Sequence, residues 1–303
     1  MDSENLLSIF ELCELAGISR SGYYKWKATK EKRETHEMHD RRDFQFILDA
    51  YHYRGYSKGS RAIYMHLSKT GNTMNRKKIQ RLMNKYNLVC HIREANPYKR
   101  MQKATQSSTY AKNRAQRKWS NYVPGQMLET DITYMYYGSS RSKKAYLSTI
   151  KDACTKQILA YVLSDNLREN FVLQTIDQLM KNHSSQLRKS VIIHSDQGVH
   201  YSAKEYVRKL KKSGIKRSMS RRGNCWDNAP QESFFGHMKD ELDIVNCRVF
   251  ADLKSTIDDY MDYYNNERFQ WKLCKMAPNE YNKYLRKGNY ITPGKGSSKV
   301  KAA

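Results

Sequence analysis

The stretch Met127-Leu-Glu-Thr-Asp-Ile-Thr-Tyr-Met135 decides the fold, because it is a predicted strand that carries an acid in its interior. Four further strands are predicted, over residues 145–150, 158–163, 191–194 and 215–219. Apolar residues at helical spacing predict helices over residues 170–180 and 204–212. Three strands followed by helix, strand, helix and strand indicate an α/β fold in which helices cover the sheet.

Three acids lie where such a sheet would present them together. Asp131 lies within the first strand, Asp196 just past the fourth, and Glu232 near the start of a helix predicted after the fifth, with 35 residues between the last two. Carboxylates placed in this way can converge and hold hard divalent cations through oxygen ligands. Two such ions activate the attacking oxygen and stabilise the leaving oxygen of an in-line phosphoryl displacement. The alternative is three unrelated surface acids.

Three motifs surround these acids: Thr130-Asp131-Ile132-Thr133, His194-Ser195-Asp196-Gln197-Gly198, and Trp226-Asp227-Asn228-Ala229 followed by Glu232-Ser233-Phe234-Phe235 and Lys239. They resemble the catalytic core of DDE insertion-sequence transposases of the second-reading-frame type, which is similar to retroviral integrase. The resemblance covers roughly residues 40–285. It implies a ribonuclease-H-like core with a five-stranded mixed sheet, in which Asp131, Asp196 and Glu232 bind two Mg²⁺ ions, with Mn²⁺ as a substitute.

The charge of the chain points to a polyanionic partner. Lys and Arg number 55 against 30 Asp and Glu, which leaves a net charge of +25. Residues 51–120 hold seventeen Lys or Arg and a single acid, Glu94. Such an excess is usually offset by nucleic acid, although a ribosomal protein or a binder of anionic membranes would have a similar bulk charge.

A helix-turn-helix pattern lies inside this basic segment. The turn Gly55-Tyr56-Ser57-Lys58-Gly59-Ser60 precedes a helix through Leu67 with Ser60 as its predicted cap, and Asn75 is the predicted cap of a second helix over residues 76–83. A helix that begins with clustered cations after a tight turn can enter a major groove. The resemblance identifies this segment as the helix-turn-helix that precedes integrase cores. The alternative is a solvated basic face on a small bundle.

The residues predicted to contact DNA are those of this segment, of the loop before Glu232, of the Glu232 helix and of the closing Tyr-Asn-x-x-Arg segment that the resemblance indicates. They are Lys58, Arg61, Arg76, Lys77, Lys78, Arg81, Arg221, Arg222, Lys239 and Arg268. Four residues are predicted to support the site: His194, His200, Asp227 and Asn228. For the two histidines, packing is as good an interpretation as a contact with ligands, and Asp227 is expected to cap the helix or order its loop.

The chain divides into five predicted segments: a short helical segment over residues 1–34, a basic helix-turn-helix domain over 35–95, a basic linker over 96–121, the catalytic domain over 122–287 and a tail over 288–303. The six cysteines show no framework spacing, which is typical of reduced thiols. We find neither an export leader nor an apolar run of membrane-spanning length. A cytoplasmic bacterial protein associated with the nucleoid is therefore expected.

The predicted function is metal-dependent cleavage and strand transfer of double-stranded DNA, at element terminal repeats and target DNA. Because two DNA ends must be joined in coordination, a homodimer or a larger assembly on DNA is expected. No full counterpart of the first-frame helix-turn-helix lies upstream of residue 40, so the first-reading-frame protein is a further expected partner. The alternatives are a ribonuclease-H-type metal nuclease that does not join strands and a DNA-binding regulator without chemistry. Tyrosine or serine recombinases would leave the three acids unexplained.

Overall fold

The computed structural model describes residues 7–56, 58–90, 111–116, 122–221, 225–242, 244 and 246–288. The chain forms two compact units. Unit 1 comprises Met1–Gly55 and Gly59–Val89, and unit 2 comprises Tyr56–Lys58 and Cys90–Ala303. Within the described ranges no helix is long and apolar enough to span a bilayer.

The described part of unit 1 contains the helices α1 (Ile9–Leu15), α2 (Arg20–Ala28), α3 (Lys30–His52), α4 (Ser60–Lys69) and α5 (Arg76–Lys85), and α3, α4 and α5 share a core. Its core contains Ile47 of α3, Ile63 of α4 and Ile79 of α5, none of which is exposed. The side chain of Asn75 accepts a hydrogen bond from the Lys77 amide at 2.8 Å and so caps α5, as predicted.

Two boundaries in unit 1 differ from those predicted. The predicted segment boundary between residues 34 and 35 falls inside α3, which continues without a break from Lys30 to His52. The residue that caps α4 is Gly59 rather than Ser60, because Gly59 has the extended backbone of a cap and Ser60 already belongs to the helix. A glycine is an accepted capping residue, so the sequence pattern allowed either position.

Unit 2 is built on a five-stranded sheet of β1 (Met127–Tyr137), β2 (Lys143–Asp152), β3 (Ile158–Ser164), β4 (Ile192–Ser195) and β5 (Lys216–Met219), in the order β3-β2-β1-β4-β5. The β1/β2 and β2/β3 pairs are antiparallel, whereas β1/β4 and β4/β5 are parallel. This mixed sheet flanked by helices confirms the predicted ribonuclease-H-like fold.

Helices cover both faces of the sheet. They are α6 (Glu169–His183), α7 (Val199–Ser202), α8 (Lys204–Lys212), α9 (Ala229–Glu241), α10 (Phe250–Asn266) and α11 (Pro278–Arg286). On one face Met135 and Leu147 pack with residues of α9 and α10, including Phe234 and Tyr260. On the other face the core contains residues of β1, β2, α6 and α8, namely Leu128, Ile150, Phe171 and Leu210. Successive strand residues therefore alternate between two buried layers.

Part of the predicted linker packs against unit 2. The Arg114 amide donates to Ser218 Oγ at 2.9 Å, and Ala115 is only 1% exposed. Residues 111–116 therefore lie against the sheet near β5, and the rest of the predicted linker below residue 122 lies outside the described residues. Of the predicted tail, the structure describes only Gly288.

Candidate active site

Asp131 lies in the middle of β1 and is 4% exposed. Its Oδ1 accepts a hydrogen bond from the Ile132 amide at 2.8 Å, and its partner across the β1/β2 ladder is Thr149. Because side chains alternate along a strand, Asp131 shares a face with Glu129 and Thr133. The backbone around this carboxylate is therefore fixed by the β1/β2 ladder.

Asp196 directly follows β4, the parallel neighbour of β1. The β1/β4 pairing ends at Glu129↔His194, two residues before each of the two aspartates. The Gly198 amide donates to Asp196 Oδ1 at 2.9 Å, and a Cβ at position 198 would lie 2.9 Å from the same oxygen. A residue larger than glycine at this position would therefore displace the Asp196 carboxylate.

Tyr201 is a buried phenol on which both aspartates act electrostatically. This phenol is 1% exposed, and burial raises its pKa well above the ordinary value. The negative charges of Asp131 and Asp196 raise the pKa of Tyr201 further, in that order. Both carboxylates are therefore within electrostatic range of the same buried side chain.

Glu232 is exposed and lies in the first turn of α9. The preceding residue, Gln231, is buried and donates through Nε2 to Thr149 Oγ1, across the ladder from Asp131. The first turn of α9 therefore reaches the sheet beside Asp131. Within the described ranges, no three His, Cys, Asp or Glu side chains form a group that could hold a metal ion. Convergence of Glu232 with the two aspartates stays a prediction.

A buried ion pair that the sequence analysis missed lies beside these residues. Lys151 Nζ is 3.0 Å from a carboxylate oxygen of Glu129, and the two side chains are 2% and 0% exposed. The same ammonium donates to the Pro230 carbonyl of α9 at 2.6 Å. Burial lowers the pKa of Lys151, and the Glu129 charge opposes that shift. The sequence does show Lys151 in a predominantly apolar strand, which could have indicated a buried ion pair. Its partner Glu129 follows only from the β1/β2 register.

His194 packs between β4 and β5. It is fully buried, and its ring nitrogens lie 2.8 Å from Ser218 Oγ and 3.1 Å from Ser220 Oγ. Burial lowers the pKa of His194, which favours the neutral ring. The His194 side chain therefore connects β4 with β5 and with Ser220, just after β5. The ring of His200 lies against that of Phe171 with 6.2 Å between the centroids.

Asp227 lies just before α9 and contacts Arg221 and Asn113. Its carboxylate accepts from the Arg221 amide, Nε and Nη2, each at 3.0 Å, and from Asn113 Nδ2 at 2.8 Å. Asn228 occupies the capping position of α9, but its side chain makes no capping hydrogen bond. The Arg221 guanidinium therefore forms an ion pair with Asp227, and 58% of the Arg221 side chain remains exposed. Arg222 lies outside the described residues.

Two predicted DNA contacts are corrected by the structure. Arg268 forms a paired contact with Glu241, with Nε 2.9 and 2.8 Å from the two oxygens, and its side chain is 18% exposed. Lys58 is 4% exposed and donates to the Tyr56 carbonyl at 2.9 Å. Both cations are held inside unit 2, which leaves little of either for a phosphate. Lys239 is half-buried on α9, and its contact with DNA stays a prediction.

The cations of the helix-turn-helix separate into two groups. Arg81 makes a bidentate contact with Asp40, at 2.8 and 2.6 Å, and Lys78 pairs with Asp43. These two side chains hold α5 to α3, with about half of the Arg81 side chain still exposed. Arg61 and Lys77 are exposed, and Arg76 is half-buried. This second group lies at the first turns of α4 and α5, and its contact with a phosphate backbone stays a prediction.

Comparisons with known proteins agree with this architecture. Family models described as an integrase core domain match residues 121–225 and 232–284, and one described as an HTH-like domain matches residues 38–96. Transposase InsK for insertion sequence element IS150 of Escherichia coli (strain K12) is 32% identical over 89% of this chain and 92% of its own. An uncharacterized transposase-like protein of Haemophilus influenzae is 36% identical over 69% of this chain and 93% of its own.

A solved structure, the cryo-EM intasome of simian T-cell lymphotropic virus with PP2A regulatory subunit B56 gamma, covers 85% of this chain and 80% of that one, at 12% identity and a TM-score of 0.47. The integrase core matches together span more than half of the chain, and they include all three acids. The chain therefore belongs to the family of insertion-sequence transposases with an integrase core domain, and it is a polynucleotidyl transferase that acts on DNA.

Proposed function

We propose that this transposase cleaves DNA at the ends of its insertion sequence and joins the released 3′-hydroxyl to a second phosphodiester, with Asp131, Asp196 and Glu232 as the catalytic residues. The observation that supports the proposal is that Asp131 lies on β1, Asp196 directly follows its parallel neighbour β4, and the first turn of α9, which bears Glu232, contacts the β2 residue opposite Asp131. Membership of the integrase-core transposase family supports DNA as the substrate of this site.

The donor set fits divalent cations of the magnesium type. All three candidate ligands are carboxylates, which are the hard oxygen donors that Mg²⁺ and Mn²⁺ prefer. Two bound ions would stabilise the attacking and leaving oxygens of the phosphoryl displacement. Asp131 and Asp196 would hold them from the sheet and Glu232 from α9. Glu232 is exposed, so its side chain can change rotamer without disturbing the core.

The protein orients the three carboxylates in different ways. The β1/β2 ladder fixes the backbone of Asp131, and the Gly198 amide fixes Oδ1 of Asp196. Glu232 is positioned through its neighbours, since Gln231 bonds Thr149 and the Pro230 carbonyl bonds Lys151. Lys239 lies seven residues after Glu232, about two turns along α9, and therefore faces the same side. We assign it a contact with a phosphate next to the reacting one.

The proposal extends to partners. Unit 1 would bind the terminal repeats through Arg61, Arg76 and Lys77, at the first turns of its two helix-turn-helix helices. Joining two ends in coordination requires at least two copies of the chain on DNA. The first-reading-frame helix-turn-helix protein is a further partner that would add recognition of the ends.

The test is a cleavage and strand-transfer assay with end-sequence DNA and Mg²⁺ or Mn²⁺. Asp131→Asn, Asp196→Asn and Glu232→Gln should each abolish both products while leaving the circular dichroism spectrum unchanged. The matched control is Glu205→Gln, which removes a carboxylate from the exposed Glu205–Arg208 pair on α8. Full activity in any of the three variants would overturn the assignment of that residue.

The same assay separates the rival functions. Cleavage without any joined product would identify a metal nuclease of the ribonuclease-H type. Tight DNA binding with neither cleavage nor joining, in every divalent cation tried, would identify a regulator whose core has lost its chemistry.

A further inference from the structure

The hairpin formed by β1 and β2 extends past the buried part of the sheet and has two unlike faces. Met135, Tyr137, Ala145 and Leu147 lie on the face that packs into the core with α9 and α10. The opposite face is aromatic and basic, with two cross-strand pairs, Tyr134↔Tyr146 and Tyr136↔Lys144. We call the latter the tyrosine face; it consists of Tyr134, Tyr136, Lys144 and Tyr146.

The tyrosine face is exposed in a way that ordinary packing does not explain. Tyr134 is 44% exposed and Tyr136 is 48% exposed. Solvent-facing positions of a strand are usually polar, so two exposed aromatic rings on one face of the hairpin are a departure from that pattern. Grouped exposed aromatic residues of this kind mark a surface that binds something.

The charge of the hairpin defines what it binds. Lys144 Nζ lies 4.6 Å from the ring centre of Tyr134 and 5.4 Å from that of Tyr146. Arg141 is exposed in the turn, and no acidic residue occurs in the sequence between Asp131 and Asp152. Aromatic rings beside cations, without acids, are complementary to a nucleic acid strand, in which bases alternate with phosphates.

The tyrosine face lies on the side of the sheet opposite Asp131. Tyr134 follows Asp131 by three residues on β1, and successive side chains alternate between the two faces of a strand. A strand of DNA bound to the tyrosine face is therefore separate from the strand at Asp131. The ring faces can stack only on bases whose own faces are open, and in a duplex those faces are covered by the neighbouring base pairs.

We propose that the tyrosine face holds an unpaired stretch of the DNA substrate, with bases stacked on Tyr134 and Tyr136 and a phosphate on Lys144. The inference rests on the proposed function only in taking DNA as the ligand, since base stacking itself needs no metal. DNA is favoured over a second protein because lysine is depleted at the centres of protein interfaces.

The test measures binding of the full chain to fluorescent oligothymidine and to a blunt duplex of the same length, in EDTA, so that no cleavage contributes. Tyr134→Ala/Tyr136→Ala should weaken binding to the single strand about tenfold and leave duplex binding within about twofold. Tyr134→Phe/Tyr136→Phe keeps both ring faces and should keep wild-type affinity for the single strand. Lys144→Gln should lower the salt slope of single-strand binding by about 0.7.

Three outcomes would overturn the proposal: unchanged single-strand affinity in the alanine variant, an equal loss on single strand and duplex, or an equal loss in the phenylalanine variant. A change of oligomeric state with unchanged DNA affinity would identify the face as a protein interface instead. If the double alanine variant fails to fold by circular dichroism, the Lys144→Gln slope decides. Because the measurement excludes divalent ions, failure of the metal-dependent chemistry leaves its result unaffected.

Discussion

The Lys151 ammonium is hydrogen-bonded to the Pro230 carbonyl at 2.6 Å and faces the Glu129 carboxylate at 3.0 Å. One buried cation thus connects β1, β2 and the first turn of α9. Asp131 lies two residues after Glu129, and Glu232 lies two residues after Pro230. The arrangement links the two elements whose acids are proposed to meet, so the relative position of those acids depends on a side chain that contacts no substrate.

Replacing Lys151 alone should destabilise the protein strongly. Lys151→Met leaves the Glu129 charge buried without its partner, which costs about 3–5 kcal/mol of unfolding free energy. Glu129→Gln/Lys151→Met removes both charges and should recover most of that loss, because a neutral buried pair carries no charge to desolvate. Urea unfolding measures both values. Equal stability of the single variant and the wild type would mean that the pair is not buried as described.

The double variant also separates stability from positioning. It lacks the donor to the Pro230 carbonyl, so the first turn of α9 is no longer held to β2 by that contact. We expect the rate constant for end cleavage to fall by about 10²-fold, the cost of a small misplacement of a catalytic group, with little change in KM. A stable double variant with wild-type cleavage would show that Lys151 does not position Glu232.

Gly198→Ala should impair chemistry without unfolding the chain. The new Cβ would approach Asp196 Oδ1 to 2.9 Å, so the carboxylate must shift by a few tenths of an ångström. We expect cleavage to slow by about tenfold. Gly236→Ala on α9 is the matched control, because its Cβ meets nothing within 4 Å and should add about 0.5–1 kcal/mol of stability. Equal activity in the two variants would contradict the role given to Gly198.

The burial of Lys58 predicts a rise of stability in alkali. Burial lowers the pKa of Lys58 to about 8 from its usual 10.5, while Glu241 and Glu267 oppose the shift. Between those two pH values the unfolded chain holds a proton that the folded chain has released. The free energy of unfolding therefore gains up to about 1.4 kcal/mol per pH unit from this group. Lys58→Met should lack that gain, as unfolding curves at pH 7, 8 and 9 would show. If the difference in unfolding free energy between Lys58→Met and the wild type is the same at all three pH values, Lys58 does not have a lowered pKa in the folded chain.

The helix-turn-helix cations should differ in their effect on salt dependence. Arg76→Gln/Lys77→Gln removes two exposed or half-exposed cations and should reduce the slope of log affinity against log salt by about 1.8 on duplex DNA. Arg81→Gln removes a partner of Asp40 and should lower the stability of unit 1 while leaving the slope unchanged. Fluorescence anisotropy over a salt series measures the slopes. If Arg81→Gln changes the slope as much as the double variant, the division of these cations is wrong.

Local patterns in the sequence predicted most of the architecture. The five strands begin within two residues of the predicted positions, and the helix over residues 204–212 has the predicted bounds, because apolar spacing and turn residues act within a few positions. The candidate acids were found from the same local patterns. Asp131 lies within a predicted strand, Asp196 directly follows one, and Glu232 lies near the start of a predicted helix.

Contacts between distant elements could not be predicted. The Glu129–Lys151 pair depends on the register of two strands, and the Arg268–Glu241 pair joins residues 27 positions apart. Lys58 lies in a basic segment of the sequence, yet it belongs to unit 2 and is buried there. Charge along the chain indicates the partner of a protein, but it does not show which cations remain exposed after folding.

The central claim is that Asp131, Asp196 and Glu232 hold divalent ions together. Mn²⁺ binding to the full chain on end-sequence DNA, followed by electron paramagnetic resonance, tests it most directly. We predict two ions per active site in the wild type and in Glu205→Gln, and a loss of bound Mn²⁺ in Asp131→Asn and in Asp196→Asn. Wild-type Mn²⁺ binding in both aspartate variants would contradict the claim.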